Sequence, residues 1–489
     1  MHFIKTGFKK KRKPFKKGFF LLFIVLLIFV SCKNKKDSIS SITNSSWEIM
    51  YQVIDSVGTI TFPDKTFNVL DFGAKSDEIF DNTQAFKKAI EKCANDGGGS
   101  VIVPEGKYLT GPIHLESNVN LHLDEGAEIL FSTNPNDYYP LVHTSFEGTE
   151  LMNYSPLIYA YKKKNIAVTG KGILNGQANN ENWWPWCGKD TYGWKEGMPN
   201  QQDSLNRPQL VKLAEMNVPP KERVFGDGHY LRPSFFEPFE CSNVMIEGVK
   251  IVNAPFWVIH PIKSVNVIVN GVTVESHGPN NDGCDPEYSK NVIIRNCTFN
   301  TGDDCIAIKS GRNEDGRRVA IKSENIIVQN CKMIDGHGGV VMGSEISAGV
   351  KNVFVENCSM DSPNLDRAIR IKTNSKRGGV VEGVYVRNIE VGQVKEAVLK
   401  INMFYDVHGN QTGNFIPIVR NVNLENIKVK NGGKFGILAK GYAESPIQNI
   451  HLNNVTIDSV KTPFSLENVK DLHLENTYIN GELMKSIIN

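Results

Sequence analysis

The side chains best suited to acid-base work and to holding an anion are Asp282, Asp303, Asp304, His337, Arg370 and Lys372. Asp303 and Asp304 are adjacent, follow Gly302 and lead into Cys305-Ile306-Ala307-Ile308, which reads as a turn delivering two acids to the start of an apolar strand. Cleaving a glycosidic bond needs a protonated acid at the leaving oxygen and a carboxylate that activates water or attacks carbon; these aspartates supply both. Taken alone, an Asp-Asp pair after a glycine is ordinarily a solvated turn, so the other groups must return to the same spot. Asp282 lies 21 residues before Asp303, His337 lies 33 after Asp304, and Arg370 and Lys372 lie 33 and 35 after His337. Such distances stack side chains only in a chain that coils with a similar period. One geometric condition remains: strand neighbours point to opposite faces, so Asp303 and Asp304 share a site only if the turn at Gly302 or a bulge re-aims one of them. His337 sits in Gly336-His337-Gly338-Gly339, where glycines permit a close approach of backbone or substrate. Arg370 and Lys372 are two apart on a strand expected over residues 368–372 and so face the same way, either as a structural ion-pair network or as a clamp on a substrate carboxylate.

The required period is present. A short apolar strand followed by Gly or Asn and then an apolar residue or threonine recurs at Gly248-Val249, Gly271-Val272, Asn296-Cys297, Asn330-Cys331, Asn357-Cys358, Asn388-Ile389, Asn426-Ile427, Asn454-Val455 and Asn476-Thr477. The separations are 23, 25, 34, 27, 31, 38, 28 and 22 residues, a base period with insertions at selected corners. Short alternating strands with almost no helix predict an all-β, single-stranded parallel β-helix. Stacked asparagines in an inward turn would bond one another through their amides. Upstream, Asp81 or Asn82 can cap a helix whose Phe86, Ala89, Ile90 and Cys93 share one face, predicting an N-terminal cap on the solenoid.

The first 18 residues carry eight Lys or Arg and no acid, and residues 19–30 are an unbroken apolar run of 12, too short to span a bilayer as a helix. Phe29-Val30-Ser31-Cys32 resembles the lipobox of bacterial lipoproteins, which implies cleavage before Cys32 and lipidation of its thiol. The expected organisation is therefore a signal peptide over 1–31, a tether over 32–60 and one β-helix domain over 61–489, in a lipoprotein exported to the periplasm or outer membrane. Removing the signal takes eight positive charges from a formal +2 and leaves −6. A mildly acidic exported chain is a poor nucleic-acid binder, and its only expected membrane contact is the lipid. A monomer is expected. The remaining cysteines fall partly on repeat positions, where a small buried hydrophobe is the simplest role, so mostly free thiols are expected and no zinc spacing is present.

The longest irregular stretch, about 175–238, contains Trp183, Trp184, Trp186 and Trp194, which either stack on sugar rings or pack the insertion onto the solenoid. A second loop holds Arg312, Arg317 and Arg318, which either bind a terminal sugar or face solvent.

Asn280-Asn281-Asp282-Gly283, Gly302-Asp303-Asp304-Cys305, Gly336-His337-Gly338 and Arg370-Ile371-Lys372, in this order, resemble the four signatures of glycoside hydrolase family 28, the polygalacturonases and relatives. Asp71-Phe72-Gly73-Ala74 and Thr110-Gly111-Pro112-Ile113 also resemble that family, so the likeness covers roughly 68–480. The resemblance implies a right-handed β-helix (the pectin-lyase-like solenoid) and hydrolysis of α-1,4-galacturonosyl linkages of pectin with inversion, without metal or cofactor. It implies Asp303 as general acid, Asp282 and Asp304 as bases activating water, and His337 as support for the acid's protonation. Arg370 and Lys372 would bind the galacturonate carboxylate, with Asn280 and Tyr405 as further substrate-binding candidates. The usual threonine of the first signature is Asn281 here, a change that alters hydrogen bonding beside Asp282. The two insertions resemble those of the exo-acting branch, in which one end of the groove is closed. Three alternatives stay open at this point: a related pectic-glycan hydrolase, a calcium-dependent pectate lyase, or a non-catalytic carbohydrate-binding β-helix.

Overall fold

The computed structural model describes residues 35–406 and 412–488. The expected signal segment and Cys32 lie outside the described residues. The body is a coil of short strands joined in parallel, as the repeat predicts. One row of stacked residues shows why: Val244, Val267, Val292, Ile326, Val353, Val384, Val422, Ile450 and Leu472 occupy successive coils in register. All are buried, so the interior is continuous aliphatic layers, each side chain worth roughly 1.5–3 kcal/mol on burial. The antiparallel pairings among the described residues are the hairpin Val142–Phe146 with Thr149–Asn153 and the final turn onto Glu482–Leu483, with one further isolated bridge.

The asparagine ladder exists, with Asn330 bonded to Asn296, Asn388 to Asn357, Asn426 to Asn388, Asn454 to Asn426 and Asn476 to Asn454 at 2.7–3.3 Å. It does not point inward: these residues are exposed at the turn, where each holds a left-handed φ near +55° that asparagine tolerates better than other side chains. The residue after each one is buried instead, which is why a cysteine or small aliphatic follows. A second ladder, Asn118, Asn165, Asn243, Asn266, Asn291, Asn325 and Asn352, runs along another corner and was not read from the sequence. All eight cysteines from Cys93 to Cys358 are free and buried.

Two helices cover the solenoid. Helix α2 (Thr83–Asn95) buries Phe86, Ala89, Ile90 and Cys93 over its N-terminal end, as expected. Helix α1 (Lys35–Val57) corrects the expected tether over 32–60: from Trp47 onward the chain belongs to the compact body. Trp47, Met50, Val53 and Val57 lie on Ile268, Ile293, Ile327 and Phe354, an apolar stripe on the outer face of the sheet that would otherwise meet water. Two more helices, α3 (Arg207–Glu215) and α4 (Asn313–Val319), belong to the insertions.

The sheet that matters for chemistry runs through residues 284–287, Ile306–Ile308, Val340–Gly343, Arg367–Lys372, Ala397–Asn402 and Phe435–Lys440, all parallel.

Candidate active site

Asp282, Asp303 and Asp304 converge at the head of this sheet, each with a carboxylate oxygen within 4.8 Å of the others. A water bonded to two carboxylates at about 2.7 Å from each bridges up to about 5.4 Å, so these separations are short enough for one water to bond two of the carboxylates. Asn281 sets the first of them. It is fully buried and makes four bonds, accepting from Ser276 Oγ and Gly278 N and donating to the carbonyls of Ala254 and Phe256. The departure from threonine therefore anchors the turn that presents Asp282.

The Gly302 turn meets the geometric condition on the Asp pair. A Cβ on Gly302 would lie 2.4 Å from the Gly278 carbonyl oxygen, so only glycine lets the chain pass close to the preceding coil. Asp303 is partly exposed, and its Oδ1 accepts the Asp304 N–H at 2.9 Å; Asp304 is fully buried. Gly336, at φ +150°, is equally constrained, since a Cβ there would meet the Asp303 carbonyl oxygen at 2.5 Å. Through that contact the His337 N–H reaches Asp303 O at 3.0 Å and the ring Nδ1 lies 3.0 Å from Asp303 Oδ1.

The expected cations are here too. Lys372 Nζ donates to Asp304 Oδ2 at 2.6 Å, Arg370 Nη1 stands 3.5 Å from Asp304 Oδ1, and the Tyr405 ring lies 5.4 Å from both cationic centres. Asp304 Oδ1 is fully buried and has no hydrogen-bond partner beyond this ion pair with Arg370. Asn280 lines the same cavity and accepts from Arg232 Nη2 at 2.9 Å.

The cavity encloses about 560 Å³, the size of a small-ligand site. Sequence reasoning left several of its residues without a role. Lys309, in the same stretch as the Asp pair, is buried and within 3.5 Å of Asp282, 3.4 Å of Glu345 and 3.8 Å of Asp285, with its Nζ 4.7 Å from the Trp257 ring. Glu147, Glu345, Arg377 and Trp257 come from loops with no motif, and no signal in the sequence marks them. Of the loop arginines, Arg312 alone lines the cavity, held by Glu147 Oε2 at 2.7 Å and Glu345 Oε1 at 3.0 Å. Arg317 instead pairs with Glu314 and covers Phe415, and Arg318 reaches Glu150, so both fasten the loop. The four tryptophans of the insertion do not line the cavity. Trp183 is buried against Tyr138 and Trp186, and the indoles of Trp184 and Trp194 bond the carbonyls of Ala254 and Met198. The insertion reaches the site through Cys187, Gly188, Lys189, Gln201 and Gln202.

Protons are distributed unequally over the cluster. Burial, with the charges of Asp303 and Asp304, pushes Asp282 up to about 7 against the pull of Lys309. Asp303 is pulled the other way: burial alone would raise it, but the hydrogen bond and charge of His337, with Lys372 and Lys309, hold it below the usual carboxylate range. His337 rises to about 9, first through its bond to Asp303. The unliganded site thus keeps a proton on Asp282 and pairs Asp303 as an ion with imidazolium.

A parallel β-helix with convergent carboxylates, a histidine and two cations in one cavity defines an acid-base enzyme. Residues 226–477 match the model of glycosyl hydrolases family 28, and residues 66–129 match that of rhamnogalacturonase A/epimerase, pectate lyase-like. A crystal structure of a hyperthermoactive exopolygalacturonase from Thermotoga maritima superposes with a TM-score of 0.86 at 45% identity, covering 90% of this chain and 98% of that one. The exo-poly-alpha-D-galacturonosidase of Dickeya chrysanthemi is 28% identical over 399 residues, 76% of this chain and 62% of the relative. The family 28 exopolygalacturonase of Yersinia enterocolitica shares the fold, with a TM-score of 0.66 at 23% identity over 85% of this chain and 76% of that one. The chain belongs to glycosyl hydrolase family 28.

Proposed function

We propose that this enzyme hydrolyses the α-1,4-galacturonosyl linkages of polygalacturonate and its oligomers from a chain end, with inversion. The observation that carries the reading is the arrangement of three carboxylates under the paired cations Arg370 and Lys372 in a cavity walled by Glu147, Arg312, Glu345 and the insertion. A galacturonate carboxylate meets Arg370 and Lys372, with Tyr405 against the sugar ring. Asp303, protonated from within the cluster, gives its proton to the glycosidic oxygen. Asp304 and Asp282 take the proton of the water that attacks the anomeric carbon from the opposite face. His337 holds Asp303 in place and keeps a proton beside it. The presence of the insertion in the cavity wall favours exo action, and the names of the similar enzymes from Thermotoga maritima and Dickeya chrysanthemi support it. Export and anchoring through Cys32, in the periplasm or at the outer membrane, complete the reading; Cys32→Ala is expected to release the protein from the membrane fraction.

The test is a product time course on polygalacturonic acid with and without chelator, resolved by chain length. Monomeric galacturonate from the outset, indifferent to chelator, is the expected result. A ladder of intermediates means endo action, an unsaturated chelator-sensitive product means a lyase, and binding without release means a carbohydrate-binding protein.

A further inference from the structure

Tyr405 is the last residue along the chain to line the cavity, but the cationic row continues beyond it. Lys372 pairs in register with Asn402 on the next coil, and Asn402 pairs with Lys440 on the one after. At about 4.8 Å per coil, Lys440 stands roughly 10 Å beyond Lys372 on the same face of the sheet. Beside it, the Phe404 and Tyr442 rings lie 4.1 Å apart at 33°, and Lys440 Nζ is 4.9 Å from the Phe404 centroid. Phe404 is 39% exposed. It adjoins Tyr405, whose ring turns back to Arg370 and Lys372 while that of Phe404 turns to the following coils. Glu147, Arg312, Glu345 and the insertion residues of the cavity lining all belong to chain that precedes Arg370, so the coils at residues 397–402 and 435–440 are the ones left for a longer substrate to continue over.

We propose that Phe404, Tyr442 and Lys440 form a second sugar subsite outside the cavity, taking an acidic saccharide unit on the open side of the scissile bond. The inference rests on the functional reading above. The exposed Phe404 ring, backed by Tyr442, offers an apolar surface to a sugar ring and Lys440 a cation to its carboxylate, as Tyr405 and Lys372 do beside it. Lys440 is held meanwhile by Glu467 at 3.2 Å, with both side chains about half exposed. Such a solvated pair is weakly bound, so a substrate carboxylate can replace Glu467.

The experiment compares kcat/KM on hexagalacturonate and digalacturonate for the wild-type protein, Phe404→Ala/Tyr442→Ala and Lys440→Gln. In the wild type the longer substrate is preferred, and the double substitution lowers that preference about tenfold, the loss expected when an aromatic contact area is removed. Lys440→Gln lowers it on acidic but not on methyl-esterified hexamer, and Phe404→Tyr retains it. A length preference unchanged by either substitution overturns the subsite, and so does an equal loss on dimer and hexamer, which would report general damage. A wild-type protein that releases no galacturonate from any length instead fells the functional reading beneath it.

Discussion

Lys372 reaches back across two coils to donate to Asp304 at 2.6 Å, so the cation expected to clamp substrate already neutralises one of the carboxylates that would activate water. Removing it does two things: it takes a cation from the rim, and it leaves the buried Asp304 with Arg370 alone at 3.5 Å. Lys372→Met is therefore expected to lower kcat as well as raise KM, with kcat/KM falling about 10²- to 10³-fold, typical of losing one aligned charged donor. Steady-state kinetics on acidic and methyl-esterified oligomers separates the parts. A larger loss on the acidic substrate supports the clamp; equal losses leave only the ion pair to Asp304.

Asp303→Asn keeps the size of the side chain and an oxygen to accept the Asp304 N–H. Turnover is expected to fall at least about 10³-fold, the loss of a general acid, while the variant stays folded, its melting temperature lowered only by the loss of the partly exposed ion pair with His337. His337 gives a second readout independent of catalysis. Its elevation to about 9 comes first from Asp303, so its ring resonances in the variant should titrate near the ordinary value of about 6.5. Activity close to wild type would remove Asp303 from the acid role.

The pH profile follows from where the proton sits. Glycosidic cleavage needs one protonated and one ionised carboxyl, and burial keeps a proton on Asp282 up to about 7. Because this folded pKa is raised, the proton is present below that value and lost above it, so kcat/KM should decline as pH rises through about 7. His337→Gln removes the positive charge 3.0 Å from Asp303. The cluster then binds its proton more tightly, and the alkaline limb should move to higher pH even as the maximum falls. An alkaline limb unmoved by the substitution would mean that the imidazolium does not act on the carboxylates.

The residues that do chemistry were legible because they repeat the solenoid period: spacings of 21 to 35 residues become neighbours once each coil returns the chain to the same face. The same period gave the buried cysteines that follow the asparagines, while the capping helix was legible from its own apolar face. The wall was not legible. Glu147, Glu345 and Arg377 lie on loops whose spacing follows no period, and their role comes only from three-dimensional charge pairing. Arg312 could be read either way, and burial between Glu147 and Glu345 decided it. The direction of the asparagine ladder was misjudged because its amides satisfy one another at the surface as well as they would inside.

Helix α1 was missed for a related reason: Ile268, Ile293, Ile327 and Phe354 look in sequence like ordinary core positions of buried strands, yet they face outward and need a cover. Trp47 supplies it, 5% exposed, set against Phe354 with Arg387 stacked 3.8 Å from its ring. Trp47→Ala should cost about 3 kcal/mol, at the lower end for deleting a buried tryptophan, read as a lower urea midpoint. Kinetics per folded molecule should stay unchanged, since the helix covers the outer face of a different sheet from the one that carries the site. A midpoint equal to wild type would mean that the stripe is covered without it.

Glu147 ties the wall together: its Oε2 accepts from Arg207 Nε at 2.6 Å and from Arg312 Nη2 at 2.7 Å. Burial would raise its pKa, but the two arginines prevail and hold it at about 2. A depressed carboxyl contributes stability that is complete above its unfolded value of 4.5 and vanishes as pH falls through about 2. Glu147→Gln leaves two buried cations short of a counter-charge, which costs about 3 kcal/mol when one partner of a buried pair is removed. The melting temperatures of variant and wild type should thus lie furthest apart near neutral pH and converge as pH falls from 4.5 toward 2. The same substitution tests what the wall is for. If this charge cluster is what restricts the cavity to one terminal unit, loosening it should add dimer to the monomer released from polygalacturonate; monomer alone, from a less stable protein, would assign Glu147 to stability and leave chain-end selection to the insertion at Lys189 and Gln201.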